Sequence, residues 1–240
     1  MIYRQEIDIP SYLCDVDDRL HVWAAVRLCQ EVTEYHGNAT GIGFTTLLAQ
    51  NRAWVITRAY YNIIRLPMSF ERVVLSTWSR GNNGLIAYRD YLMETPDGER
   101  LLEGTSCWPM IDMTTRRVLR LNDIIANYEN HPQCATPFET LPKLHVSEMG
   151  DENLVATHNV RYTMLDHTQH VNNSEYIKLL FDCLQTNGFS TDGKFSLSIA
   201  YNQESRLGDT LNVYRKHEQN VDEMKITNSR GPSITAVISK

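Results

Sequence analysis

Five cysteines in 240 residues, an odd number without any Cys-x-x-Cys spacing, offer this chain neither a disulfide framework nor a zinc knuckle. Cys14, Cys29, Cys107, Cys134 and Cys183 read instead as reduced, partly buried thiols. Basic residues are the minority charge, 23 Lys and Arg against 29 Asp and Glu, for a net charge of -6. That argues against nucleic acid as a partner, because such binding normally needs a basic face. No stretch approaches the ~18 consecutive apolar residues of a membrane span. The first residues, Met1 to Glu6, lack the basic-then-apolar pattern of a secretory signal. The expectation from these absences is a cytoplasmic protein with no membrane association.

What is present suits a soluble globular chain with a sizeable core: 42% hydrophobic and 22% charged residues. At this length it forms one large domain or two small ones. Residues 2–12 read as a strand. Val22, Ala25, Val26, Cys29 and Val32 then recur at helical spacing over residues 22–36, with Gly37 as the expected C-cap. From Trp54 to Leu121 the texture is β-branched and aromatic, and predicts strands at 54–61, 73–78, 85–93 and 101–113. Pro96-Asp97-Gly98 marks a hairpin turn. Prolines 132, 137 and 142 with Gly150 break regular structure, and residues 129–153 read as a linker. The order then repeats: a strand at 154–163, a helix at 172–186 closed by Asn187-Gly188, and strands at 195–201, 210–217, 223–228 and 234–238.

Two halves, 1–128 and 154–240, thus share one plan. A short echo supports duplication: Asp17 to His21-Val22 before the first helix matches Asp166 to His170-Val171 before the second. A long helix followed by an antiparallel sheet, twice, suggests each sheet curled around its own helix, with the halves paired to hide an edge. The expected class is α+β, a tandem (double) hot dog.

The densest polar cluster is Asp166-His167-Thr168-Gln169-His170-Val171-Asn172-Asn173-Ser174-Glu175-Tyr176, at the start of the second helix. A helix start offers unpaired N–H groups and a partial positive charge, a good place to polarise a carbonyl oxygen. Asn172-x-x-Glu175 reads as a capping box variant. A plain structural reading exists for the candidates here and for Glu204, an acid just past the strand expected at 195–201. Asp166 fits a turn acid, His170 a loop brace, Asn172 and Asn173 caps, and Glu204 a surface residue. His167, His170 and Asp166 would share a metal only if the segment were helical, and no further ligand lies nearby in sequence.

The chain resembles the acyl-acyl-carrier-protein thioesterases of plant plastids and some bacteria. The likeness rests on Trp54-Val55-Ile56-Thr57-Arg58, Ser76-Thr77-Trp78, Ser106-Cys107-Trp108 and Asp112-Met113-Thr114-Thr115-Arg116-Arg117. It continues through Leu165 to Asn173, Tyr176-Ile177 and Tyr201-Asn202-Gln203-Glu204-Ser205. It implies a thioester hydrolase that releases free fatty acid and ends chain elongation. Asp166, His170 and Glu204 would be catalytic, with no cofactor and no metal, and the first half would bind the acyl chain. The partner would be an acyl carrier protein, the chain itself a monomer or homodimer. Two positions depart from the family pattern: Thr168 stands where the family has Asn, and Ser205 where it has Cys after the Glu. The second argues against an obligatory thiol nucleophile there and shifts weight to the carboxylates.

Within this reading the amides around Val171, Asn172 and Asn173 would bind the thioester oxygen, and Thr168 stands as a further catalytic candidate. Asp166 as base or as attacking carboxylate, and Glu204 as activator of water, remain alternatives. An acyl-CoA thioesterase and a non-catalytic acyl-binding module are the competing functions. Strict alternation along Phe195, Leu197, Ile199 and Tyr201 puts Glu204 on the face away from them, so it meets His170 only if the strand bulges or that face lines the seam between the halves. Arg116, Arg117 and Arg120 form the densest basic cluster, a solvated face or a docking point for the acidic carrier, with Arg52, Arg58 and Arg65 as rivals.

Overall fold

The computed structural model describes residues 1–122, 124–125 and 129–240; the expected end of the first half, at 128, lies outside them. Strand β1 (Tyr3–Asp8) leads through a 3-10 turn (Ser11–Leu13) to helix α1 (Val22–Ala39) and the short helix α2 (Phe44–Ala49). Strands β2 (Arg52–Trp54), β3 (Arg58–Ile63), β4 (Arg72–Asn82), β5 (Ile86–Glu94) and β6 (Arg100–Asp112) complete the first half. The second half has β7 (Leu154–Asn159), a 3-10 turn (Tyr162–Met164) and helix α3 (Asn173–Thr186). It ends with β8 (Phe195–Tyr201), β9 (Thr210–Glu218), β10 (Val221–Asn228) and β11 (Gly231–Ser239). The repeated α+β plan is therefore present.

The two halves do not keep separate sheets. Their strands form one antiparallel sheet in the order β1-β4-β5-β6-β3-β8-β11-β10-β9-β7, with β2 paired to β6. The seam is β3 against β8, where Tyr61 lies opposite Leu197. Each strand alone would leave a row of unpaired N–H and C=O groups, and joining them satisfies both rows. α1 and α3 pack on each other, and one apolar cluster draws on both helices and both halves, from Ala25 and Val26 to Ile177, Leu180 and Ile199.

Three local departures have physical causes. α1 runs past Gly37 to Ala39. A Cβ at Gly37 would lie 3.2 Å from the Cα of Gly43, so this glycine lets the loop into α2 pass close instead of ending the helix. The expected strand 54–61 is split into β2 and β3. Val55 and Thr57 donate to the carbonyls of Pro109 and Cys107 at 3.0 Å each, but Pro109 has no N–H to return, so the ladder is interrupted. The strand expected over 154–163 stops at Asn159, since Val160 N–H turns to the Asp209 carbonyl at 2.8 Å and the 3-10 turn follows.

The irregular stretch from 130 to 141 is fixed as a strap over the first half, and Ser147 N–H beyond it donates to Glu223 of β10 at 2.8 Å. Trp78 Nε1 donates to Gln133 O at 2.8 Å, Arg80 to Phe138 O and Arg58 to Leu141 O at 2.7 Å each. Asp90, fully buried, accepts from the Ala135 N–H at 2.7 Å and from Thr105 at 3.0 Å. Among the described residues no helix is long and apolar enough to cross a membrane.

Candidate active site

The cluster of polar residues forms a tight turn before α3. Leu165 and Val171 bridge its base, Asp166 N–H donates to His170 O at 2.9 Å, and Gln169 takes φ 64° to close it. This brings Asp166, Thr168 and His170 together. Asp166 Oδ1 accepts from Thr168 N–H at 2.8 Å and from the Thr168 hydroxyl at 2.5 Å. Thr168 Oγ1 lies 3.1 Å from His170 Nδ1. With the hydroxyl proton directed at Asp166, the imidazole Nδ1–H donates to Thr168, and the hydroxyl links the acid to the imidazole.

On the far side His170 Nε2 lies 3.1 Å from Glu204 Oε2. Glu204 reaches it because β8 ends at Tyr201 and the chain bulges. Asn202 and Gln203 both donate to Ser233 O, at 2.8 and 3.3 Å, which breaks the alternation and re-aims the next side chain. Glu204 Oε1 pairs with Arg116 of the first half. A continuous polar chain thus runs Asp166–Thr168–His170–Glu204–Arg116. Ser205 is fully buried, shares a hydrogen bond with Ser233 at 2.9 Å and accepts from Asn228 at 2.9 Å. It braces the bulge and presents no nucleophile.

Of the three amides expected to meet a substrate oxygen, two are engaged: Val171 N–H donates to Ser205 O and Asn172 N–H to Met164 O, each at 2.9 Å. Asn173 N–H has no protein partner among the described residues and sits at the first position of α3. Asn172 is the N-cap, its side-chain oxygen accepting from Ser174 N–H at 2.9 Å. The capping box does not close, because Met164 already takes the Asn172 N–H. Glu175 instead pairs with Arg27 of α1 at 3.0 Å. His167 turns away from His170, its ring packed edge-on against Phe44 at 4.1 Å between centroids, so the two imidazoles are not brought to one point.

These residues open into a cleft of about 1020 Å³ between the halves. Asp166, Thr168, His170, Val171, Asn172, Asn173 and Glu204 all line it. Trp54, Ile56, Tyr88, Trp108, Ile111 and Ile125 of the first half form its apolar wall. Of the arginines, Arg58 is spent on the linker and Arg65 on Glu71 and Glu99, at 2.8 Å each. Arg116 is turned to Glu204, which leaves Arg117 and Arg120 exposed to solvent. No sequence signal links Arg116 to a carboxylate 88 positions away.

The first half carries the same loop without the chemistry. β1, its 3-10 turn and the start of α1 map onto β7, its turn and α3 with one displacement of 151 positions (Tyr3 to Leu154, Ser11 to Tyr162, Val22 to Asn173). The echo read from the sequence is therefore two residues out of register. Asp15, not Asp17, is the counterpart of Asp166, and it accepts from Asp17 N–H at 2.9 Å as Asp166 does from Thr168. Arg19 stands for His170 and His21 for the cap Asn172. Leu20 N–H donates to Pro67 O at 2.8 Å as Val171 N–H does to Ser205 O at 2.9 Å, so buried Leu66 stands for Glu204. The cavity at this first copy is only about 10 Å³.

A tandem hot dog with one intact carboxylate–imidazole site and one emptied copy defines the class. The chain belongs to the acyl-ACP thioesterase family: the family model for the acyl-ACP thioesterase N-terminal domain matches residues 1–128, and that for the C-terminal domain matches residues 147–240. It is 28% identical over 222 residues to a chloroplastic acyl-acyl-carrier-protein hydrolase of Cuphea viscosissima, covering 87% of this chain and 53% of that protein. It is 24% identical over 250 residues to a chloroplastic oleoyl-acyl carrier protein thioesterase of Arabidopsis thaliana, covering 98% of this chain and 68% of that one. The chain spans about half the length of the Cuphea relative. Among solved structures, an acyl-ACP thioesterase from Bacteroides thetaiotaomicron superposes with a TM-score of 0.86 at 21% identity, covering 99% of this chain and 97% of that one. The 12:0-ACP thioesterase of Umbellularia californica gives a TM-score of 0.86 at 20% identity, covering 99% and 96%. These structural likenesses establish the fold.

Proposed function

We propose that the chain hydrolyses fatty acyl thioesters of acyl carrier protein, releasing free fatty acid. The observation that carries this is the chain Asp166–Thr168–His170–Glu204 at the mouth of a cleft with an apolar wall. Family membership and the relatives' activities support the substrate class. The acyl chain lies along the first half's aromatic and aliphatic wall, and the thioester carbon stands beside His170 and Glu204.

The balance of the step follows from the geometry. Glu204 takes a proton from a water, and the oxygen of that water attacks the thioester carbon. The oxyanion forms near the Asn173 N–H at the start of α3, where the helix dipole favours negative charge. The C–S bond then breaks, and the thiolate leaves with the proton returned through the His170–Glu204 pair, giving the free acid and the carrier thiol. Asp166, whose Oδ1 already holds two bonds from Thr168, orients Thr168 and through it the imidazole. Exposed Arg117 and Arg120, which follow Arg116 at the cleft, supply positive charge for an acidic carrier.

The test is fatty-acid release from acyl carriers of graded chain length, measured by mass spectrometry, alongside the matching CoA thioesters. Turnover with carrier-bound substrate well above that with CoA is expected, and Glu204→Gln lowers it by roughly 10²–10⁴-fold. Absence of release from both substrates would overturn the reading. Strong preference for CoA would replace the carrier as substrate.

A further inference from the structure

The residue that the site borrows from the other half of the molecule is Arg116. It lies in the turn after β6, and that turn is built rigidly around Asp112. Asp112 Oδ1 accepts from Thr114 N–H at 3.1 Å, Thr115 N–H at 2.7 Å and the Thr115 hydroxyl at 3.0 Å. Asn51 donates to Asp112 Oδ2 at 3.0 Å, and Arg116 N–H donates to Asp112 O at 2.8 Å. The turn closes with Arg116 itself at φ 59°, a left-handed position that strains an L side chain and where glycine would sit freely. An arginine kept there despite that strain sends its guanidinium across the seam, while Arg117 beside it faces solvent.

Its target is one oxygen of one carboxylate. Arg116 Nη2 meets Glu204 Oε1, and the other oxygen, Oε2, faces His170 Nε2 at 3.1 Å. A carboxylate on a glutamate stem has free torsions, and Glu204 sits in a bulged loop with its side chain about a third exposed. The imidazole alone does not fix its rotation. Arg206 reaches Oε2 only at 3.8 Å and is 66% exposed, so it competes for the oxygen that His170 needs, while Arg230 is turned to the Glu204 backbone carbonyl at 3.1 Å and to Asp209 at 2.6 Å.

We propose that Arg116 is a positioning residue for the hydrolytic site: it holds Glu204 Oε1 so that Oε2 is presented to His170, which makes the first half a structural component of the second half's catalytic chain. This rests on the reading of Glu204 as the group that activates water. It also gives a reason for the emptied first copy to persist in the same chain. Having Arg19 and Leu66 in place of its own imidazole and carboxylate, the first half supplies the anchor for the carboxylate of the other.

Arg116→Gly is the informative variant, because glycine is at ease at φ 59° and the turn's other bonds come from Asp112, Thr114, Thr115 and Asn51. The expected result is a fall in kcat of roughly 10²-fold, the scale of a misplaced reacting group, with KM within about threefold and an unchanged thermal midpoint. Guanidinium at tens of millimolar, below denaturing levels, restores part of the lost turnover, and the same concentration of potassium chloride does not. Unchanged kcat, or a rise in KM alone, overturns the proposal in favour of substrate docking.

A readout independent of turnover separates this from failure of the functional reading. The His170 imidazole ¹⁵N resonances in Arg116→Gly should move toward those of Glu204→Gln. Resonances identical to the parent protein's overturn the proposal even if the parent hydrolyses thioesters. If the parent has no such activity, shifted resonances still support the positioning role, and only the assigned reaction falls.

Discussion

Arg19 and His170 occupy the same point of two copies of one loop. Asp15 N–H donates to Arg19 O at 2.7 Å and Asp166 N–H to His170 O at 2.9 Å, and Asp18 and Gln169 both adopt φ 64° to close the turn. The backbone is retained where the chemistry is not, because the loop's shape depends on the acid's turn bonds and one left-handed residue, and those tolerate any side chain at the fifth position.

It follows that His170→Arg should fold. The first copy already demonstrates an arginine at this point of the loop. The thermal midpoint is expected within a few degrees of the parent's, while thioester turnover falls by roughly 10³-fold or more, since the guanidinium cannot exchange a proton with Glu204. Loss of the cooperative unfolding transition in this variant would refute the equivalence of the two loops.

Thr168 is expected to act through its hydroxyl, which stands 2.5 Å from Asp166 and 3.1 Å from His170. Thr168→Val keeps the shape and removes the link, and kcat should fall by roughly 10²-fold. Thr168→Ser keeps the hydroxyl and should remain within several-fold of the parent. Equal losses in both variants, measured at saturating substrate, would show that the methyl group and not the hydroxyl matters.

His36 sets a limit on acid stability. It is buried in α1 with Arg89 Nη1 2.9 Å from its Nδ1. Burial, reinforced by the Arg89 charge, pushes its imidazole down to about 4. Unfolded, the same ring titrates near the ordinary imidazole value of 6.5. Between those values the unfolded chain binds a proton that the folded chain refuses. The contribution is complete above pH 6.5 and is lost as the pH falls toward 4, the loss reaching about 3 kcal/mol at the low end. Urea unfolding at pH 7, 5.5 and 4.5 should show this slope, and His36→Gln, which still offers Arg89 an acceptor, should reduce it.

The shared sheet predicts one unfolding event. Leu197, fully buried on β8 and opposite Tyr61 of β3, packs in a core common to both halves. Leu197→Ala should cost about 2–5 kcal/mol and lower a single calorimetric transition without splitting it. Two resolved transitions would mean that the halves fold as separate units.

The sequence alone carried the repeated strand–helix–sheet plan, because helical and alternating periodicities are local properties of the chain. It also named Asp166, Thr168, His170 and Glu204 as candidates, through motif resemblance and the placement of polar groups at a helix start, and the fold brings these four side chains into contact. Strand β8 was legible to the residue, since its period-two pattern ends where the bulge begins. What it left open were relations between distant residues. Whether Glu204 meets His170 depended on two amides sharing the Ser233 carbonyl, a choice made by the partner strand. The register of the duplication lies two positions from the letter match, since Asp and His recur at Asp17 and His21 but the fold aligns hydrogen bonds, not letters. The merging of two sheets at β3 and β8, and the reach of Arg116 across that seam, were decided only in three dimensions. There the need to pair strand edges and to anchor a free carboxylate outweighs anything a local pattern records.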